Sequence, residues 1–243
     1  MINSGVELYL GNAAAMWRAV GEEVRAHGDH QRAETPVVSR ILMTRDAGRE
    51  RVAELLGSRL PGKALVIEDL FAGGEVAELP EDARVWQIPV MVRPAGPVAV
   101  PDGVRVVRVA GEDELAAAER VIVDGFPMAV YQPLLRGQAL PPRVLGLPGW
   151  SVWLAYRDGV PAAAGYTFDD GTSAGLYWLA TPPEHRGHGL GRALLSTAIT
   201  AHPDRPFTLV ATDAGLPLYE STGFASVGGT AWYTRRSQAA PHP

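Results

Sequence analysis

Apolar residues recur along this chain at two periods, and the period changes with position. Ala13, Met16, Trp17, Val20 and Val24 stand three and four apart, which predicts a helix with one buried stripe. Asn12 is placed to cap that helix by accepting a backbone N–H from its first turn. Residues 6–10 and 36–43 read as strands, and residues 47–60 as a second helix with Val52, Leu55 and Leu56 on its apolar face. Residues 64–67 and 84–92 are two further strands. The order in this half is mixed α and β, and it holds no catalytic motif.

A proline- and glycine-rich stretch follows, Arg93-Pro94-Ala95-Gly96-Pro97 and then Pro101-Asp102-Gly103. Proline fixes φ and removes a backbone donor, so this segment reads as an extended connector between two regions. Beyond it the pattern is more regular. Residues 104–109 form a strand and residues 112–123 a helix with Leu115, Ala118 and Ile122 on one face. Residues 129–140 read as a short helix. Residues 151–156, 162–168 and 173–180 are three strands. They are separated by Arg157-Asp158-Gly159 and Asp169-Asp170-Gly171, turn sequences that tolerate positive φ. A helix over 189–201, a strand over 207–211 and a short helix over 216–221 come next, the last ended by Gly223 as a left-handed cap. Val227 and residues 231–234 are closing strands. No internal repeat of 20–50 residues is evident. The organisation is therefore an α/β segment over 1–97, a second α/β domain over 98–237, and a tail over 238–243, with residues 237–243 reading as disordered by composition.

Composition narrows the chemistry. The 243 residues are 47% hydrophobic and 20% charged, which are values for a globular chain with enough length to bury a core. There is no cysteine, so disulfides, Cys-based zinc sites and thiol nucleophiles are excluded. A net charge of −5 argues against a general nucleic-acid binder, which carries a basic face. No apolar run is long enough to span a membrane, and the N-terminus lacks the order of a signal peptide. The expectation is a soluble, cytoplasmic protein with neither a nucleic-acid nor a membrane partner.

The most informative segment is Leu179-Ala180-Thr181-Pro182-Pro183-Glu184-His185-Arg186-Gly187-His188-Gly189-Leu190-Gly191-Arg192. A buried strand enters a Pro-Pro turn, a glycine-dense bend follows, and a helix begins. Glycine lets backbone approach a ligand closely. The first helical turn offers free N–H groups and the positive end of the dipole, which together suit a phosphate or pyrophosphate. Arg186 and Arg192 add positive charge. The plain alternative is a turn needed only for tight strand–helix packing. Two nucleotide motifs fail here. The only lysine, Lys63, lacks the P-loop context, and Leu194 occupies the third glycine position of G-x-G-x-x-G. His185 and His188 straddle a turn with no third ligand, so no metal is expected.

Arg186-Gly187-His188-Gly189-Leu190-Gly191 resembles the R/Q-x-x-G-x-G/A signature of the GNAT superfamily of acetyl-CoA-dependent N-acetyltransferases. Leu218-Tyr219-Glu220-Ser221-Thr222-Gly223-Phe224 is similar to that family's second signature, Leu-Tyr followed by Gly-Phe. The two stand in order within the expected β-β-β-α-β-α run, and the resemblance covers residues 104–236. It implies a GNAT-like mixed, mostly antiparallel sheet flanked by helices.

The resemblance also implies a site. The pantetheine arm of acetyl-CoA would lie between splayed strands over 177–181 and 208–212, held by backbone groups of Leu179, Ala180 and Thr181. Backbone N–H groups around Arg186, Gly187, His188, Gly189, Leu190, Gly191 and Arg192 would hold the pyrophosphate. Thr212 stands where relatives often carry an Asn that helps bind the coenzyme. Tyr219 occupies the general-acid position; its alternative role is packing the last helix. An amine of a small molecule or peptide would attack the thioester directly, with a backbone N–H near Leu179 or Ala180 stabilising the oxyanion. No general base is evident: Asp169, Asp170, Glu184 and Tyr177 are candidates through water, the two aspartates reading first as turn residues. Trp150, Trp153, Trp178 and Trp232 read as core or pocket wall, and Phe126-Pro127-Met128 as an apolar acceptor wall. A homodimer would fit the family habit.

Two roles suit residues 1–97: covering the acceptor side, or serving as a degenerate second copy of the same fold. The first is preferred, because residues 6–24 echo 104–123 only faintly. The rival to catalysis is a catalytically silent acyl-CoA-binding sensor.

Overall fold

The computed structural model describes residues 2–21, 23–58, 62–72, 78–126 and 128–236. In chain order the elements are α1 (Ser4–Val20), β1 (Glu23–Ala26), β2 (His30–Glu34), β3 (Val38–Met43), α2 (Gly48–Gly57), β4 (Ala64–Asp69) and β5 (Ala83–Arg93). They continue as β6 (Arg105–Arg108), α3 (Glu112–Gly125), β7 (Trp150–Arg157), β8 (Val160–Asp169), β9 (Ala174–Ala180), α4 (Leu190–Thr200), β10 (Phe207–Val210), α5 (Leu216–Ser221) and β11 (Ala225–Arg235). The chain divides into two compact units. One is Met1–Met91 with Val210–Thr212 and Ser226–Pro243; the other is Val92–Leu209 with Asp213–Ala225. The expected tail at 238–243 and the expected end of the second helix at Leu60 lie outside the described residues.

In the first unit the strand order is β1-β2-β3-β4-β11-β5. Residues 6–10 belong to α1 and are not the expected strand. Val6, Tyr9, Ala13 and Met16 are all buried at helical spacing, and Asn3 caps the helix by accepting from the N–H groups of Gly5 and Val6 at 3.0 Å. Asn12, expected as the cap, is buried in mid-helix. The β1–β2 hairpin carries too few apolar residues to show alternation, so only its ladder from Glu23↔Glu34 to Ala26↔Gln31 reveals it. Val52, Leu55 and Leu56 of α2 pack onto Ile41, Ile67 and Tyr233. The two expected closing strands are one strand, β11, antiparallel to β4 from Ala231↔Asp69 to Arg235↔Leu65.

In the second unit the order is β10-β9-β8-β7-β6, antiparallel from β6 to β9, with β10 parallel to β9. Leu190, Leu194 and Ala198 of α4 pack onto Trp153 and Ala155 of β7. The expected helix over 129–140 is only a 3-10 turn, Ala129–Tyr131. Pro133 has no N–H to continue it, and Gly137 sits at φ +78°.

The two units run through the same order of elements. α1-β1-β2-β3-α2-β4 in the first corresponds to α3-β7-β8-β9-α4-β10 in the second. Each run ends in a parallel pair bridged by one helix, β3 with β4 and β9 with β10. The strand-to-helix bends differ. In the first unit the N–H groups of Thr44 and Arg45 donate to the Asp29 carbonyl, and the Asp46 carboxylate accepts from the Gly48 N–H.

Candidate functional site

The bend between β9 and α4 is built from glycine backbone. Gly187 and Gly189 lie at φ +78° and +74°, a region that costs any residue with a Cβ. A Cβ added at either would meet nothing within 4 Å, so the surface above the bend is open. Gly189 is the N-cap of α4 and offers no side chain to cap it. The first α-helical bond into this end is Ala193 N–H to Gly189 carbonyl at 2.9 Å. Leu190, Gly191 and Arg192 therefore present first-turn N–H groups without an acceptor in the preceding turn. Gly191 packs more closely: a Cβ there would lie 3.5 Å from Leu218 Cδ2 and 3.6 Å from Thr181 Oγ1.

The charged neighbours are braced. Arg186 donates from Nε to the Thr181 carbonyl at 2.9 Å, folding back over the end of β9. Arg192 donates from Nη2 to Ser221 Oγ at 2.7 Å, and Ser221 Oγ in turn donates to the Leu218 carbonyl, tying α4 to α5. His188 is exposed, and His185 is half-buried with an Nδ1 that has no hydrogen-bond partner. Among the described residues no group of three or more His, Asp or Glu could hold a metal ion, and no helix is long and apolar enough to cross a membrane.

β9 leads into the bend with one edge open and one edge distorted. Its ladder with β10 consists of Phe207↔Ala174 and Thr208↔Gly175 alone, so residues 176–180 have no ladder partner in β10. On the other side, Tyr166↔Tyr177 is followed by Ala164↔Ala180, which places Trp178 and Leu179 together opposite Gly165. This is a β-bulge, which removes backbone groups from the ladder. Trp178 takes up the extra length at φ +52°, and a Cβ at Gly165 would approach Leu179 Cα to 3.0 Å. The sequence pattern carries no signal for this bulge except Gly165 within an apolar strand.

Aromatic rings surround the bulge. Trp150 stacks on Tyr166 at 4.6 Å and Tyr166 on Tyr177 at 5.4 Å, while Trp178 meets the edges of Tyr166 and Tyr131. Trp153 is core, its indole donating to Thr167 Oγ1, and Trp232 lies in the first unit. Of the expected apolar wall, Phe126 and Met128 are half-buried; Pro127 lies outside the described residues.

Tyr219 on α5 is 8% exposed, and its ring meets Phe224 edge-on at 5.8 Å. Burial pushes its phenol up to about 12, so the group is protonated across the neutral range. Gly223 follows at φ +91°, as the left-handed cap requires. Thr212, exposed beyond β10, belongs to the first unit. The turn carboxylates are engaged elsewhere. Asp169 accepts from Arg205 Nε at 3.0 Å and from the Gly171 N–H, and Asp170 accepts from the N–H groups of Thr172 and Ser173. Both stand at the Ala174 end of β9, about 15 Å along the strand from Leu179.

Residues 148–226 match the family model described as "Acetyltransferase (GNAT) domain". Among solved structures, the chain is similar to a GCN5-related N-acetyltransferase from Kribbella flavida, with 16% identity over 100% of this chain and 97% of that one and a TM-score of 0.64. It is also similar to a functionally unknown protein from Staphylococcus epidermidis (12% identity, 90% and 96% coverage, TM-score 0.63). A third likeness is to a GCN5-related N-acetyltransferase-like protein from Streptococcus suis (12% identity, 95% and 99% coverage, TM-score 0.55). No curated protein matches the chain.

Proposed function

We propose, for a chain whose residues 148–226 match the GNAT acetyltransferase domain model, that it transfers an acetyl group from acetyl-CoA to the amine of a small molecule or peptide. The observation that carries this reading is the open bend at Gly187 and Gly189, ahead of three uncapped amides of α4. A pyrophosphate needs such a cradle: close backbone approach, N–H donors and the positive end of a helix. Arg186 and Arg192 border it with full positive charge.

The unpaired edge of β9 over 176–180 offers Leu179, Ala180 and Thr181 to the extended pantetheine arm in the manner of an added strand. Acetyl-CoA supplies the thioester carbonyl that an amine can attack. The bulge at Trp178-Leu179 frees backbone N–H groups from the ladder, and one of these suits a developing oxyanion. Tyr219 is a buried phenol kept neutral, able to donate to a leaving thiolate. With its pKa near 12 against about 8.5 for a simple thiol, it serves as a hydrogen-bond donor more readily than as a complete proton source.

The repeated order of elements favours reading the first unit as a degenerate copy of the fold, in place of a dedicated cover. Its own strand-to-helix bend has a single left-handed glycine, Gly48 at φ +77°, whose N–H donates to the Asp46 carboxylate, while Thr44 and Arg45 donate to the Asp29 carbonyl.

The engagement of Asp169 and Asp170 in their turn favours one rival, a coenzyme-binding sensor without turnover. Thiol release from acetyl-CoA across a panel of primary amines separates the two. Release with at least one amine supports transfer. Coenzyme binding with no release supports the sensor, and absence of binding ends both readings.

A further inference from the structure

Glu119 lies in the middle of α3 and is 1% exposed. It occupies the same face as Leu115, Ala118 and Ile122, an apolar stripe where a carboxylate has no place unless it is paired. Its partners are three backbone N–H groups of one loop. Gly137 donates to Oε2 at 2.8 Å, while Ala139 and Leu140 donate to Oε1 at 2.7 and 3.0 Å. A second tie fastens the same loop from outside: Arg136 Nη2 reaches Asp113 at 2.9 Å and Glu112 at 3.8 Å, both in the first turn of α3.

Residues 132–140 form neither helix nor strand, so no regular ladder holds them. The loop starts at Tyr131, whose ring meets the edge of Trp178 at 6.3 Å, and ends at the buried side chain of Leu140. Trp178 is the left-handed residue of the β9 bulge, next to Leu179. α3 itself closes onto the end of β9, because a Cβ at Gly125 would lie 2.8 Å from that of Ala180. One helix therefore touches the strand end with its last turn and fixes the loop beside the bulge with the carboxylate in its middle.

We propose that Glu119 is a positioning residue for the acceptor side of the site, setting the 131–140 loop and, through Tyr131, the wall against Trp178. The inference rests on the acyl-transfer reading above. Glu119 touches neither reactant; it acts by holding three amides that would otherwise need water. A glutamine of the same shape presents an NH2 group where one set of N–H donors points, so it cannot accept from all three.

The test compares wild type with Glu119→Gln in three measurements. The first is amide hydrogen exchange of the loop. The second is acetyl-CoA binding by calorimetry. The third is KM and kcat for the primary amine giving the fastest thiol release in wild type. The expected result is at least tenfold faster exchange at Ala139 and Leu140, a coenzyme Kd within about twofold, and an acceptor KM raised about tenfold with a smaller change in kcat. Gly137→Ala approaches the contact from the loop side. Its Cβ would be strained at φ +78° and would lie 3.2 Å from Pro142 Cδ, displacing the Gly137 N–H while leaving α3 intact. It should move KM in the same direction, and it carries the test if the glutamine variant does not fold. Unchanged exchange, or equal losses in acceptor and coenzyme binding, would overturn the positioning role. If wild type releases no thiol, the transfer reading falls, while the exchange measurement still decides whether Glu119 anchors the loop.

Discussion

The Cβ that Gly125 lacks would sit 2.8 Å from the Cβ of Ala180. Real Cβ atoms do not approach that closely, so the last turn of α3 lies on β9 only because residue 125 is glycine. The backbone nitrogens of Thr181 and Pro182 are each 3.5 Å from the same point. Gly125→Val should therefore destabilise the protein by about 1–3 kcal/mol through overpacking. Urea denaturation measures this. Acetyl-CoA affinity should fall as well, because the displaced atoms belong to the strand end proposed for the pantetheine arm. Wild-type stability in the valine variant would show that the helix end shifts freely.

The second unit was the more legible in the sequence; in the first, β3, α2, β4 and β5 stand where the pattern put them, but the start of α1 and the β1–β2 hairpin were missed, for a physical reason. Leu190, Ala193, Leu194 and Ala198 repeat at helical spacing, and Gly189 and Gly223 stand where the chain needs φ > 0, so local chemistry marks the start of α4 and the end of α5. In the first unit β1 is almost wholly exposed and β2 is rich in polar residues, leaving nothing for periodicity to detect. The shared order of elements was not legible, since the bend at Thr44–Gly48 carries one glycine, Gly48 at φ +77°, where 187–191 carries three. At the site, the cradle could be read because glycine and helix start are local signals. The bulge at Trp178 could not, because it depends on which residues of β8 face β9. Glu119 did leave a trace: a carboxylate at an inward position of the stripe Leu115, Ala118, Ile122.

In the first unit Asp29 joins the β1–β2 turn to α2. Its carboxylate accepts from Arg51 Nε at 2.7 Å and pairs with His30 Nδ1 at 2.6 Å. The hydrogen bond from Arg51, and then that with His30, hold the group down to about 2 against the opposing effect of burial. A depressed folded-state pKa stabilises above the unfolded value and ceases to do so as pH falls through the folded one. Asp29→Asn should lower stability at pH 7 by about 1 kcal/mol, allowing for partial solvent screening. The deficit relative to wild type should shrink between pH 4 and pH 2. Thermal melts at intervals of half a pH unit read both. A deficit that stays constant down to pH 2 would assign the effect to shape and not to charge.

Gly189→Glu places a negative charge and a strained side chain at φ +74° in the cradle. The expected outcome is loss of detectable acetyl-CoA binding by calorimetry. Gly189→Asn separates charge from strain, because asparagine visits the left-handed region more readily than other residues with a Cβ. It should retain the fold and weaken binding only modestly. Full binding in the glutamate variant would remove the bend from the coenzyme site altogether.

Tyr219 makes two separable predictions. Its pKa of about 12 in the folded protein lies above the value near 10 of an exposed phenol, and burial is the cause. The unfolded chain therefore loses this proton first. The stability associated with the buried neutral ring is complete below pH 10 and is lost as pH rises from 10 toward 12, by about 2–3 kcal/mol in all. Tyr219→Phe keeps the ring against Phe224 and removes the titration, so the difference in stability between variant and wild type should change over that window and be flat below it. The catalytic prediction is independent of the first. If the hydroxyl assists departure of the thiolate, the same variant should lower kcat by about tenfold to a hundredfold while leaving the acetyl-CoA Kd within about twofold. A variant with the altered alkaline melt and an unchanged kcat would leave Tyr219 as a packing residue of α5, and the donor to the leaving sulfur would have to be sought in solvent.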